Sequence, residues 1–147
     1  MSVRDCDDLF AGLGSNRISA NSGLSVAKRI MVVEDNDLNR KLFCDVLKAN
    51  GFEVDPVADG HSVLEAARTT APDLIIMDIQ LPGISGVDLI AAAKQDRALK
   101  EIPVLAVTAF AAKGDEERIR SAGASGYLSK PVSIMPFMAA VRELLPA

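Results

Sequence analysis

Five short strand-like runs, RIMVV (29–33), FEVDPV (52–57), DLIIM (73–77), VLAV (104–107) and GYLS (126–129), recur along the chain with room for a helix between each and the next. Strands that alternate with helices predict a parallel sheet with right-handed crossovers, covered on both faces. Apart from Arg29 and Asp73 at their first positions, the runs at 29–33, 73–77 and 104–107 are continuously apolar, as strands buried on both faces should be. The run at 52–57 alternates, carries Glu53 and Asp55, and contains Pro56, which lacks the N–H that an inner strand donates. GYLS is short and half polar. With the second and fifth strands outside, the simplest order is 2-1-3-4-5, an α/β, flavodoxin-like (βα)5 doubly wound sheet whose ligand crevice opens at the carboxyl ends of strands 1 and 3.

Two helices are legible in detail. Residues 38–49 offer Leu38, Leu42, Phe43, Val46 and Leu47 as one predicted apolar face and stop at Asn50 and Gly51. Residues 134–145 space Ile134, Phe137, Met138, Val141 and Leu145 as a single stripe. The run KGDEERIR reads as a solvated helix face, with Ile119 as its large apolar residue. Residues 1–27, rich in Ser, Asn and Gly and without sustained periodicity, predict a flexible N-terminal extension ahead of one domain spanning 28–147. The GLGSNR within that extension follows no strand and lacks a third glycine, so it does not predict a dinucleotide loop.

Bulk properties exclude several function classes. The net charge of −4 gives no electrostatic reason to expect nucleic acid or an anionic membrane as partner. No apolar run approaches the roughly 20 residues of a membrane span and no secretory signal is visible, so the expected location is the cytoplasm. Cys6 and Cys44 have no metal-type spacing and read as reduced thiols. His61, the single histidine, lies beside Gly60 with no nucleophile near it, which argues against a hydrolase triad.

The predicted strand order gathers scattered residues at one sheet edge. Glu34 and Asp35 follow strand 1, Asp78 follows strand 3, Thr108 follows strand 4 and Lys130 follows strand 5. Three carboxylates crowded together repel one another unless a cation sits among them, which implies a divalent metal. All-oxygen ligands without His or Cys favour Mg²⁺ over zinc. Lys130 supplies a point charge and Thr108 a hydroxyl donor to an anion formed at Asp78, a set suited to phosphoryl transfer onto that carboxylate. A phosphoaspartate hydrolase would also use a metal-bound acceptor Asp, but it wants a general-acid Asp two residues later, where this chain has Gln80.

VVEDNDLNRKLF, LIIMDIQLPGISG, VLAVTAF and YLSKP resemble, in order, the landmark segments of response-regulator receiver domains. The resemblance implies that Asp78 is the phosphoacceptor and that Asp35, assisted by Glu34, holds Mg²⁺ together with Asp78 and the backbone carbonyl of Gln80. It also implies that Thr108 and Tyr127 form a switch pair, that Lys130 contacts the phosphoryl group, and that the bond to Pro131 is cis. Within the family the sequence looks most like the DivK-type single-domain regulators of alphaproteobacterial cell-cycle control. The implied protein is a phosphorylation switch rather than an enzyme, and its expected donors are sensor histidine kinases or a histidine phosphotransfer protein. Its expected partner-docking face is the fourth helix, fifth strand and fifth helix. With Ala147 close behind the fifth helix, an attached DNA-binding module is not expected; a receiver module of a hybrid kinase stays open as an alternative.

Overall fold

The computed structural model describes residues 27–109 and 114–145; the extension expected over residues 1–27, apart from Ala27, and Cys6 within it lie outside them. The elements follow one another as β1 (Arg29–Val33), α1 (Asp37–Ala49), β2 (Glu53–Val57), α2 (Val63–Thr70), β3 (Leu74–Asp78), α3 (Gly86–Gln95), β4 (Val104–Thr108), α4 (Asp115–Ala122), β5 (Gly126–Ser129) and α5 (Ile134–Leu144). The five strands form one parallel sheet in the order β2-β1-β3-β4-β5, the flavodoxin-like arrangement that the apolar runs predict. Pro56 lies on the edge strand β2, opposite Val32.

Alternation along the inner strands divides the interior into two layers. Met31, Val33, Ile75, Met77, Val104 and Ala106 face α2, α3 and α4, where Val63, Leu89, Ile90 and Ile119 meet them. Ile30, Val32, Leu74, Ile76, Leu105 and Val107 face Phe43, Cys44 and Leu47 of α1 and Phe137, Met138 and Val141 of α5. Phe43 and Phe137 stack with ring centroids 5.0 Å apart, joining the two helices on that side.

The apolar face expected for α1 is corrected by the structure. Leu38 is 76 % and Leu42 46 % exposed, while the buried positions are Arg40, Phe43, Cys44 and Leu47. At 3.6 residues per turn, the five apolar residues from Leu38 to Leu47 span about 180° of the helix, and the sheet covers only the half centred near Leu47. Ile134, expected in the α5 stripe, is also 54 % exposed, because it sits in the first turn, ahead of Phe137, Met138 and Val141, which are the residues that reach the core.

Between β3 and α3 the chain forms a two-stranded antiparallel ribbon, Gln80–Leu81 paired with Ile84–Ser85, which the sequence reading treats only as a loop shaped by Pro82 and Gly83. Pro82 and Gly83 make its turn, with Gly83 at φ +78° as a Pro-Gly turn requires. The next residue after the ribbon, Gly86, starts α3 hard against the end of β3: a Cβ there would lie 2.7 Å from the Asp78 carbonyl oxygen and 2.7 Å from Ile79 Cα.

Removing a ring from the α1–α5 layer should cost far more than trimming the exposed side of α1. Phe137→Ala is expected to lower unfolding free energy by about 3–5 kcal/mol through lost burial and a residual cavity, and Leu38→Ala to change it by less than about 0.5 kcal/mol. Urea unfolding of both variants checks the rotation assigned to α1; equal losses would contradict it.

Candidate functional site

Parallel strands in register bring their carboxyl ends to one edge, and here three of them end on polar side chains with almost no solvent contact. Asp78 is the last residue of β3, paired with Val107, and is 2 % exposed. Glu34, just past β1, is 1 % exposed, and Thr108, the last residue of β4, is also 1 % exposed. Strands β3 and β4 each run one residue further than the apolar patterning predicts, because the ladder continues through Asp78 and Thr108. Asp35 stands on the exposed rim, and carboxylate oxygens of Glu34, Asp35 and Asp78 all lie within 4.8 Å of one another.

Lys130 enters this cluster from β5. Its backbone N–H donates to the Thr108 carbonyl at 2.8 Å, which continues the β4–β5 pairing past Ser129 and aims the side chain back across the edge. Its Nζ lies 3.2 Å from Glu34 Oε1 and 3.3 Å from Asp78 Oδ2. Burial disfavours the ammonium, yet the charges of Asp78 and Glu34 outweigh burial and hold the Lys130 pKa above the ordinary lysine value. The Glu34 pKa is raised as well, but here burial is the main cause: burial first, and the Asp78 charge second, push it up to about 7 against the opposing pull of Lys130 and of the Asn36 amide. Glu34 Oε1 accepts no well-directed hydrogen bond. One lysine therefore does not satisfy the acids. An all-oxygen donor set with an under-satisfied buried oxygen suits a hard divalent cation.

Two residues that the sequence reading missed hold the site in place. Arg40, buried on the inner face of α1, donates from Nη1 to the Glu34 carbonyl at 2.8 Å and pairs through Nη2 with Asp37, tying the loop that carries Glu34 and Asp35 to the helix after it. The signal was present: Arg40 falls at position i of the i, i+3, i+4, i+7 pattern completed by Phe43, Cys44 and Leu47. The side chain of Gln80 is the second. Its Nε2 donates to Thr108 Oγ1 at 2.7 Å and its Oε1 accepts from Ala109 N–H at 2.9 Å, while its backbone N–H donates to Asp78 Oδ1 at 3.1 Å. Tyr127 stands apart from the acids, half-buried against the layer that holds Ala106 and Ile119. The Lys130–Pro131 peptide is cis. His61 is exposed, with Nδ1 3.1 Å from Asp59 Oδ1.

A doubly wound sheet that ends in acids at its switch point, with a lysine reaching in from the fifth strand, is the arrangement of a signalling receiver domain. The chain belongs to the response regulator receiver domain family, whose model matches residues 30–142. It is 49 % identical to the polar-differentiation response regulator DivK of Brucella ovis over 120 residues, 82 % of this chain and 98 % of that protein. Among solved structures it resembles the Vibrio cholerae chemotaxis protein CheY4, with a TM-score of 0.77 and 25 % identity over 82 % of this chain and all of the other. It also resembles the receiver domain of the sensor histidine kinase PA1611 of Pseudomonas aeruginosa, a structure with a magnesium ion coordinated in its active-site cleft, at a TM-score of 0.74 and 29 % identity over 81 % of this chain and 98 % of the other.

The elevated Glu34 pKa has a consequence for stability. The folded protein holds the Glu34 proton more tightly than the unfolded chain does, so this contribution is complete below the ordinary value of 4.5 and is lost as the pH rises to about 7. In chelator, wild type should therefore lose about 2 kcal/mol more stability than Glu34→Gln between pH 5 and pH 8. Urea midpoints at the two pH values test this, and parallel pH profiles for the two proteins would contradict it.

Proposed function

We propose that this protein is a single-domain response regulator that accepts a phosphoryl group on Asp78 from a phosphohistidine, on a sensor histidine kinase or a histidine phosphotransfer protein, and signals by binding a partner. The observation that carries the reading is an acid 2 % exposed at the end of β3, with a lysine 3.3 Å away and two further carboxylates beside it. The Asp78 carboxylate attacks phosphorus, the donor's N–P bond breaks, and the imidazole leaves with the electron pair. Glu34, Asp35, Asp78 and the Gln80 backbone carbonyl would hold Mg²⁺, which neutralises charge on the phosphoryl oxygens when bound. Lys130 then exchanges its carboxylate partner for a phosphoryl oxygen, and Thr108 offers its hydroxyl to another. Gln80 carries no acidic proton to give a leaving group, which disfavours the hydrolase reading.

DivK relatives, matched over nearly their whole length, favour an independent regulator over a hybrid-kinase module and support a role in cell-cycle and polarity control. The domain limits 28–147 and a cytoplasmic site of action go with this reading, as does the lack of a nucleic-acid partner for a chain of net charge −4. No helix among the described residues is long and apolar enough to cross a membrane. Two surfaces divide the traffic. Asn39, Leu42, Phe43 and Val132 line a groove of about 400 Å³ that reaches Lys130 and Pro131, a suitable seat for the donor's apolar helix, and Leu38 of α1 and Ile134 and Met135 of α5 are exposed. The output partner docks on the face of α4, β5 and α5, where a groove of about 460 Å³ is lined by Arg120, Tyr127, Leu128, Pro136 and Leu144. Thr108 and Tyr127 connect the two events: Thr108 moves toward the phosphoryl oxygens and Tyr127 turns into the space it leaves.

Intact-mass spectrometry after acetyl phosphate treatment should show one added phosphoryl group in the presence of Mg²⁺ and none in chelator or in Asp78→Asn. A persistent added phosphoryl in Asp78→Asn would sink the assignment. Thr108→Ala should still be phosphorylated, while the gain in partner affinity on activation falls by roughly 5- to 150-fold, the usual range of a site-to-site coupling. Equal activation of the two proteins would rule out the Thr108 route.

A further inference from the structure

The side chain of Gln80 grips the element that has to move. Its backbone is fixed first, by pairing with Ser85 in the short ribbon and by the N–H bond to Asp78 Oδ1 at 3.1 Å. From that anchor the carboxamide reaches the end of β4 and makes two bonds, Nε2 to Thr108 Oγ1 at 2.7 Å and Ala109 N–H to Oε1 at 2.9 Å. The amide's orientation follows from chemistry: the Ala109 N–H can only donate, so the carbonyl oxygen must face it, and the NH₂ is then left for the threonine hydroxyl. Among side chains, a carboxamide alone offers a donor and an acceptor side by side in this way; Glu would present two acceptors and Leu none.

We propose that Gln80 is a positioning residue that clamps Thr108 and Ala109 in the unphosphorylated state and sets how readily the switch opens. The proposal rests on the reading of Asp78 as acceptor. One residue thus touches both ends of the event, the acceptor carboxylate through its N–H and the switch hydroxyl through its side chain. For Thr108 to turn toward a phosphoryl group on Asp78, the Nε2 bond must break, and any shift of the β4 end strains the Ala109 bond as well. Loss of the clamp therefore favours the active arrangement before any phosphoryl group arrives, and a ligand selecting that arrangement binds more tightly by the same factor.

The test is a double-mutant cycle on Gln80→Leu and Thr108→Val, read by ¹⁹F NMR titration of fluoroberyllate in the presence of Mg²⁺. Gln80→Leu should lower the fluoroberyllate dissociation constant about tenfold, or about 1.4 kcal/mol, the scale of one net hydrogen bond, and should leave it within about twofold in the Thr108→Val background. An unchanged or higher constant in Gln80→Leu, or the same shift in both backgrounds, would overturn the clamp. Gln80→Ala serves in its place where urea unfolding shows that the leucine disturbs the fold. Amide exchange of Ala109 in metal-free, unphosphorylated protein gives a readout independent of the acceptor: about tenfold faster exchange in the Gln80 variant is expected, and an unchanged rate counts against the clamp. If Asp78→Asn binds fluoroberyllate as wild type does, the acceptor reading fails, while Ala109 exchange still decides the clamp.

Discussion

Two carboxylates share a nearly dry pocket at the end of an apolar sheet, and the rest of the site is arranged around the cost of keeping them there. Glu34 and Asp78 are each at most 2 % exposed, and burying a charge without a partner costs several kcal/mol. Their common partner comes from the edge strand β5, where the Lys130 backbone is bonded to Thr108 and its Nζ stands 3.2 and 3.3 Å from the two acids. One positive charge facing two buried negative ones leaves a deficit. Burial and the Asp78 charge push the Glu34 pKa up to about 7, its Oε1 is left with no well-directed hydrogen bond, and a further cation would relieve both. Under the proposed function the same imbalance would make Lys130 easy to redirect, since a doubly charged phosphoryl group on Asp78 would compete well for its ammonium.

Holding acids in such a place demands a stiff surrounding. The Glu34–Asp37 loop is pinned from below by Arg40 and closed by Asn36, whose side chain caps α1 through the Asn39 N–H at 2.9 Å. On the other side, the ribbon and Gly86 seat α3 against the end of β3, so Asp78 is fixed by backbone on both sides in sequence. Neither device is a ligand, yet both determine where the oxygens stand, and a displacement of about 1 Å is enough to spoil a constellation of this kind.

What was legible in the sequence follows the strength of the physical signal. The sheet order could be read because a parallel sheet buried on both faces leaves continuous apolar runs, and because Pro56 marks an edge. The gathering of Glu34, Asp35, Asp78, Thr108 and Lys130 then followed from topology, since register places every strand end on one side. The rotation of α1 could not be read, because Leu38 and Leu47 lie on opposite sides of the helix and both look like core residues on paper; the sheet beneath α1 and α5 beside it, with Phe137 stacked on Phe43, decide which is covered. The Gln80–Ser85 ribbon is too short to carry a period, and the reach of the Gln80 carboxamide to β4 is a three-dimensional fact with no local signature. Arg40 was passed over because a charged residue on a surface helix is normally solvated, whereas here its guanidinium lies under the loop it supports.

The distribution of burial among the helices bears on where the change proposed at Asp78 would travel. Helix α5 is anchored by Phe137, Met138 and Val141, and α3 buries Leu89, Ile90 and Ala93, so displacing either exposes several large groups at once. Helix α4 buries Ile119 alone among its described residues, begins without a side-chain cap at Gly114, and carries surface pairs between Arg118 and Asp115 and between Arg120 and Glu116. Exposed pairs of that type contribute at most about 1 kcal/mol each, so α4 has by far the weakest hold of the three. It also follows β4, whose last residue is Thr108. A movement of Thr108 and Ala109 would therefore meet little resistance toward α4 and strong resistance toward α3 or α5, in keeping with the proposed output face bordered by Tyr127 and Arg120.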